Sequence, residues 1–303
     1  MISLADPLQQ TTTFAYDGVG NRTAITDTLG YVERFRYDTV DRPEYEYHAV
    51  TGLLEYDDAS RVNSIVTPQG AVAYDWDWAG ALGARMTSAT VAGQTVDYAY
   101  DALGVRVSAT ISGTTQNLLW DRAQGAPAEL PLLVDDGTQS YIHGAGPMAQ
   151  IDSTGSRHDL LNDGLGSVRS IIDGSGAVVG TADYSAFGEY LTQSGVTSRF
   201  GFTGEYYAEE TGMWHLRARD LHPALGRFLS PDPVQPCPEG SQPGTRGYNR
   251  YAYVANNPTT WVDLSGFSAA PALSGGLAVA AVTYAMQGGF AGILGCLIIK
   301  PCR

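Results

Sequence analysis

The chain is expected to be all-β: a spiralling stack of β-hairpins followed by a short, apolar tail of helical character. Three observations carry this expectation. Tyr-Asp pairs recur at Tyr16, Tyr37, Tyr56, Tyr74 and Tyr100, in steps of 21, 19, 18 and 26 residues. Between them Val, Thr, Tyr and Ile alternate with polar residues, as in T-A-I-T and R-V-S-A-T-I, with no helical period. Glycine (36 of 303 residues) and tyrosine (18) are abundant, which suits many short strands joined by tight turns. A repeat of roughly twenty residues is one supersecondary unit in series, here two strands each, and such arrays usually build a scaffold rather than a pocket.

Residues 1–157 form the first block. Each Tyr-Asp is expected to open a turn. The tyrosine closes a strand with a half-buried ring, the aspartate accepts from backbone N–H groups two residues on, and a glycine supplies left-handed backbone. Three pairs share a tail: Y-D-G-V-G-N-R from Tyr16, Y-D-T-V-D-R from Tyr37 and Y-D-A-L-G-V-R from Tyr100. The arginine in each is expected to pair with an aspartate of its own or of the next unit. Residues 117–157 continue as a turn-rich stretch and further hairpin pieces. A second block, residues 158–267, carries its own glycine turns in N-D-G-L-G-S and I-D-G-S-G-A. Tyr206, Tyr207, Trp214 and Phe228 read as core aromatics.

Composition narrows the function classes. The net charge of −14 argues against a nucleic-acid partner, because phosphate binding needs clustered Lys and Arg. The three cysteines (Cys237, Cys296, Cys302) form no C-x-x-C pair, and the five histidines show no metal-ligand spacing, so neither a metal nor a cofactor is expected. Asp75 and Asp77 flank Trp76 on one strand face, which reads as a solvated face in preference to a calcium site. No P-loop or G-x-S-x-G motif is present. The first residues lack the basic start and apolar core of a classical signal peptide.

The Tyr-Asp units resemble the YD repeats of RHS proteins, and residues 158–267 resemble the RHS repeat-associated core domain. The resemblance rests on N-D-G-L-G-S-V-R at Asn162–Arg169, Y-S-A-F-G-E at Tyr184–Glu189 and F-T-G-E-Y-Y-A-E-E-T-G at Phe202–Gly212. L-G-R-F-L-S-P-D-P at Leu225–Pro233 and Y-A-Y-V-A-N-N-P-T-T-W-V-D at Tyr251–Asp263 complete it, so it covers residues 11–267. It implies a hollow β-shell that encloses a C-terminal toxin, as in toxin-complex C proteins, with teneurins sharing the shell on animal cells. It also implies a core domain that works once, on itself, as an aspartic autoprotease cutting just after its own end. A bacterial product exported or displayed through a dedicated secretion system follows from it, with upstream shell parts or delivery machinery as partners beside the chain's own C-terminal segment.

Three departures qualify the implied chemistry. The chain is short for a shell, and is expected to be the C-terminal portion of one. The family's D-P-x-G is D-P-V-Q at Asp232–Gln235, and its D-P-L-G-L is D-L-S-G-F at Asp263–Phe267. An insertion, P-C-P-E-G-S-Q-P-G-T-R-G, lies between them.

The resemblance makes Asp232 and Asp263 the catalytic pair and places the cut between Phe267 and Ser268. Two carboxylates held close cannot both ionise freely. The charged one takes a proton from water while the neutral one donates to the scissile carbonyl. Arg227, five residues before Asp232, is a candidate to hold a carboxylate or the oxyanion. The plainer reading is that both aspartates cap turns.

Residues 268–303 occupy the place of the toxin. From Ala272 to Ile299 no residue is charged, a length that would span a bilayer. Three readings stay open: a membrane-active segment aided by G-G-F-A-G at Gly288–Gly292, the apolar leader of a longer toxin, or a helix packed inside the shell wall. The rival to the whole scheme is a non-proteolytic YD-repeat surface or adhesion protein anchored by this tail. A degenerate remnant, with strand edges open to aggregation, is the third.

Overall fold

In a computed structural model of the chain, the described residues are 2–5, 11–19, 21–26, 29–39, 42–48, 52–67, 70–77, 84–121, 130–232, 250–267 and 269–272. The insertion, Ser268 and residues 273–303 of the expected helical tail lie outside them, while the start of that tail, Ala270–Pro271, is strand. Among the described residues all regular structure is strand or short 3-10 turn. The chain divides into two compact units, residues 1–77 with 86–95 and residues 78–85 with 96–303.

The first unit is a meander. Strands β1 (Ile2–Ala5), β2 (Thr11–Tyr16), β3 (Arg22–Thr26), β4 (Val32–Tyr37), β5 (Pro43–His48), β6 (Gly52–Tyr56), β7 (Val62–Thr67) and β8 (Gly70–Asp77) each pair antiparallel with the next. Strand β9 (Arg85–Val91) lies beside β8. Leu54, Val62, Ile65, Tyr74, Met86 and Ala89 supply the buried side chains.

The second unit continues the pattern. Strands β10 (Gln94–Tyr100), β11 (Arg106–Ile111) and β12 (Thr114–Asn117) form two hairpin pairings. An eight-stranded sheet follows in chain order: β13 (Leu119–Asp121), β14 (Leu132–Asp135), β15 (Gln139–His143), β16 (Pro147–Asp152), β17 (Arg157–Asn162), β18 (Val168–Ile172), β19 (Val178–Tyr184) and β20 (Tyr190–Gly195). It runs without a break through the block boundary expected at residue 157. A small four-stranded sheet, β21 (Tyr206–Ala208), β22 (Met213–Leu216), β23 (Arg219–His222) and β24 (Arg227–Phe228), and a two-stranded pair, β25 (Trp261–Val262) with β26 (Ala270–Pro271), complete it.

One turn recurs through both units. Its aspartate N–H donates to the carbonyl four residues on, and its carboxylate accepts the N–H groups two and four residues on. Asp57 does this with Ala59 and Arg61, Asp101 with Leu103 and Val105, and Asp163 with Leu165 and Ser167. The strand before each turn slips register at its last residue, a bulge that feeds the chain into the bend. Position four of the turn has left-handed backbone, with Gly104, Gly155, Gly166 and Gly176 there, and Ser60 in the Asp57 turn at φ 62°.

Four of the expected tyrosines, Tyr16, Tyr37, Tyr56 and Tyr100, do end strands. Tyr74 does not. It sits inside β8 with 3% exposure, and Asp75 accepts from Ser88 Oγ at 2.7 Å across the sheet instead of opening a turn. The expected arginine pairing holds where the arginine stands four residues after the aspartate. Arg42 Nε is 2.7 Å from Asp38, and Arg61 Nη2 is 2.6 Å from Asp57. Where it stands five residues after, it points elsewhere: Arg22 covers the Phe35 ring and Arg106 goes to Asp220.

Two apolar clusters fill the second unit. Leu133, Tyr141, Leu160, Ile171, Phe200 and Tyr206 make one, while Tyr184, Phe202, Trp214, Leu216, Leu221, Phe228 and Tyr253 make the other. Trp214 is fully buried, and its indole N–H is satisfied by the Gly188 carbonyl at 2.9 Å. This second cluster is the floor on which the candidate site is built.

Candidate functional site

The hairpin L-R-A-R at Leu216–Arg219 turns sharply between β22 and β23, with Arg217 in left-handed backbone at φ 54°. That strain aims three consecutive donors at one segment. Arg217 Nη1 donates to the Leu264 carbonyl, Ala218 N–H to the Ser265 carbonyl at 3.3 Å, and Arg219 Nε to the Gly266 carbonyl. The segment is gripped by its main chain, immediately before Phe267. Gly266 is required here: its φ is +74°, and an added Cβ would lie 2.3 Å from the Leu216 carbonyl oxygen.

Arg219 also joins the two expected aspartates. Its Nη2 lies 3.3 Å from Asp232 Oδ2 and 3.5 Å from Asp263 Oδ2, and its Nη1 donates to the Arg250 carbonyl at 3.2 Å. The guanidinium stacks on the Phe228 ring at 3.7 Å. Burial pulls its pKa down, and the two carboxylates oppose that pull. Asp232 and Asp263, far apart in sequence, thus share one cation. Asp263 is buried, and its Oδ1 accepts from Ser265 N–H at 3.2 Å and Ser265 Oγ at 3.1 Å. Ser265 Oγ in turn accepts from Phe267 N–H at 3.1 Å. Asp232 is more open and is tied through its backbone to Arg250, whose carbonyl accepts the Asp232 N–H at 2.9 Å.

Arg227 lies on β24, where its backbone pairs with His222 and bridges to Ala252. The guanidinium that spans the carboxylates is that of Arg219, which the sequence did not single out. In R-A-R-D it reads as one more charged residue at a strand edge. Only the turn geometry at Arg217 and the alternation of β23 aim it at the aspartates.

Neighbouring acidic groups complete the environment. Glu205 is buried, with Oε2 2.7 Å from Arg217 Nη1. Burial, reinforced by Asp263 and opposed by Arg217, pushes its pKa up to about 7. On the other face of β23, Asp220 takes Arg106 and the Nδ1 of His215 at 3.0 Å. Burial drops the His215 pKa to about 4, so this imidazole is neutral near pH 7.

The chain is similar to several known proteins. The teneurin YD-shell family model matches residues 2–259. The tRNA3(Ser)-specific nuclease WapA of Bacillus spizizenii is 28% identical over 264 residues, covering 84% of this chain and 11% of that protein. The double-stranded DNA deaminase toxin A of Burkholderia cenocepacia is 25% identical over 320 residues, covering 90% of this chain and 20% of the toxin. Teneurin-3 of Mus musculus is 25% identical, covering 84% of this chain and 10% of the teneurin. Among solved structures, the TcdB2-TccC3-TEV crystal structure is similar at 14% identity, with a TM-score of 0.43 over 85% of this chain and 18% of that one. The chain therefore spans about a tenth to a fifth of the length of these curated relatives. The strand meander, the recurring aspartate turns and the match over residues 2–259 make this chain a member of the YD-shell family.

Proposed function

We propose that this chain is the closing portion of a bacterial toxin-enclosing shell, and that its core block cuts the chain once, between Phe267 and Ser268. The observation that carries this reading is Arg219, whose guanidinium meets Asp232, Asp263 and the Gly266 carbonyl together. A nuclease and a deaminase toxin among the relatives favour a toxin as the enclosed cargo.

The chemistry is hydrolysis by a carboxylate pair holding one proton. The ionised carboxylate takes a proton from water, whose oxygen bonds to the Phe267 carbonyl carbon. The protonated partner donates to the carbonyl oxygen. Collapse breaks the C–N bond, and the proton passes to the Ser268 nitrogen, leaving a Phe267 carboxylate and a new amine. Arg219 lies against both aspartates and offsets the repulsion between them.

In this scheme the released partner is the chain's own segment 268–303, whose uncharged stretch 272–299 is suited to a membrane. Upstream shell parts or a delivery machine are the other partners, and the product is exported. One observation favours the rival, a surface protein with structural aspartates: Asp263 Oδ1 is already engaged by Ser265 in ordinary turn fashion. A chain tagged at both ends separates the two. Two fragments from the native sequence, and one intact chain from D232N and from D263N, are expected. A native chain that stays whole, and that fractionates with membranes, supports the rival.

A further inference from the structure

Glu205 lies outside every step of that hydrolysis, yet it is nearly inaccessible, at 2% exposure, and it stands at the root of the clamp. Its Oε2 accepts from the same Arg217 nitrogen that donates to the Leu264 carbonyl. Arg217 is steadied from its other side by the Pro131 carbonyl, 3.3 Å from Nε. The charged and titratable groups around Glu205 come from three elements. Arg217 faces it from the hairpin, Asp263 from the clamped segment and Tyr253 from the 3-10 turn at Tyr253–Asn256. His143 feels the charge of Arg217, and Arg219 contacts both Asp263 and Asp232.

We infer that Glu205 is a positioning residue for the proposed cut: it holds Arg217 on the Leu264 carbonyl through an oxygen that accepts whether or not the carboxyl is protonated, and it couples the seating of residues 263–267 to uptake of a proton. This rests on the cleavage reading for its purpose but not for its test. Seating the segment brings the Asp263 carboxylate up to Glu205, which is itself buried. That charge disfavours the Glu205 anion. By reciprocity, protonating Glu205 favours the seated segment, and ionising it loosens the segment. The raised pKa of Glu205 puts that exchange close to neutrality. Acidification then favours the seated peptide.

The test is hydrogen exchange in the full-length chain carrying D232N, which holds the segment uncut. Protection of the Ser265 and Phe267 amides, corrected for intrinsic exchange, should fall as pH rises from 6 to 8. A single linked proton allows at most about tenfold per pH unit. With E205Q added, the protection should become independent of pH across that range. Should E205Q fail to fold, R217Q should instead lower the protection of the segment and flatten the same profile. An unchanged pH profile in E205Q, or a flat profile in the parent, overturns the inference. The two readings fail separately. A native chain that is never cut but shows the profile keeps the role of Glu205 in seating the segment and removes the cut. A chain that is cut, with a profile indifferent to Glu205, does the reverse.

Discussion

Arg106 and Asp220 form a buried ion pair in which one guanidinium nitrogen lies 3.1 Å and 2.9 Å from the two oxygens of a single carboxylate. Both side chains are almost wholly enclosed, at 3% and 5% exposure. The pair ties the arginine of the last Tyr-Asp turn to the strand that carries Arg219. Asp220→Ala would strand a buried cation and should cost about 3–5 kcal/mol in urea unfolding of the second unit. Replacing both partners with apolar residues of similar size should cost less than either single change.

Acid should find the same pair. Burial alone would raise the Asp220 pKa, but Arg106, helped by His215, outweighs burial and holds it at about 2. The folded value is below the ordinary carboxylate value of about 4, so the contribution is whole above about pH 4. It is lost as pH falls through about 2. Unfolding free energy measured from pH 5 to pH 2 should therefore drop in the parent. The drop should be shallower in R106M.

Gly266→Ala should disturb fold and cleavage together. The new methyl meets the Leu216 carbonyl at 2.3 Å and the left-handed backbone disfavours alanine, for a cost of roughly 1–3 kcal/mol. On the cleavage reading, the rate of fragment appearance should fall more steeply than thermal stability, because the carbonyl that Arg219 holds is displaced.

Arg219→Lys keeps the charge and loses the fork. One ammonium cannot reach two carboxylates, the Gly266 carbonyl and the Arg250 carbonyl at once. Cleavage of the double-tagged chain should slow by about a hundredfold or more, the scale of a misplaced reacting group.

Ser60→Gly should stabilise the first unit. Ser60 holds left-handed backbone at φ 62° where the turns at Asp101, Asp152, Asp163 and Asp173 use glycine. Relief of that strain, less the extra freedom glycine brings to the unfolded chain, leaves a gain of about 0.5–1 kcal/mol. A shift in the urea midpoint of this unit measures it.

The repeat was legible because its turn chemistry is local. An aspartate followed by a left-handed residue three positions on marks a bend wherever it occurs. Tyr74-Asp75 misled because the tyrosine is only a companion of that signal. Trp78 stands where the glycine should be, and β8 runs on through Asp75 to Asp77. Conversely, Asp152 and Asp173 open the same turn with isoleucine before them. The site was legible only in part. Asp232 and Asp263 stand out through family motifs, whereas Arg219 and Glu205 gain their roles from a strained hairpin and a buried neighbour. Neither leaves a local mark in the sequence.

The turn that joins these hairpins keeps its main hydrogen bonds within five residues, from the aspartate to the residue four places on. Copies of such a hairpin can be gained or lost without orphaning the polar groups of the copies that remain. The wall's length is thus free to drift between relatives by whole hairpins, while its local stitch stays fixed.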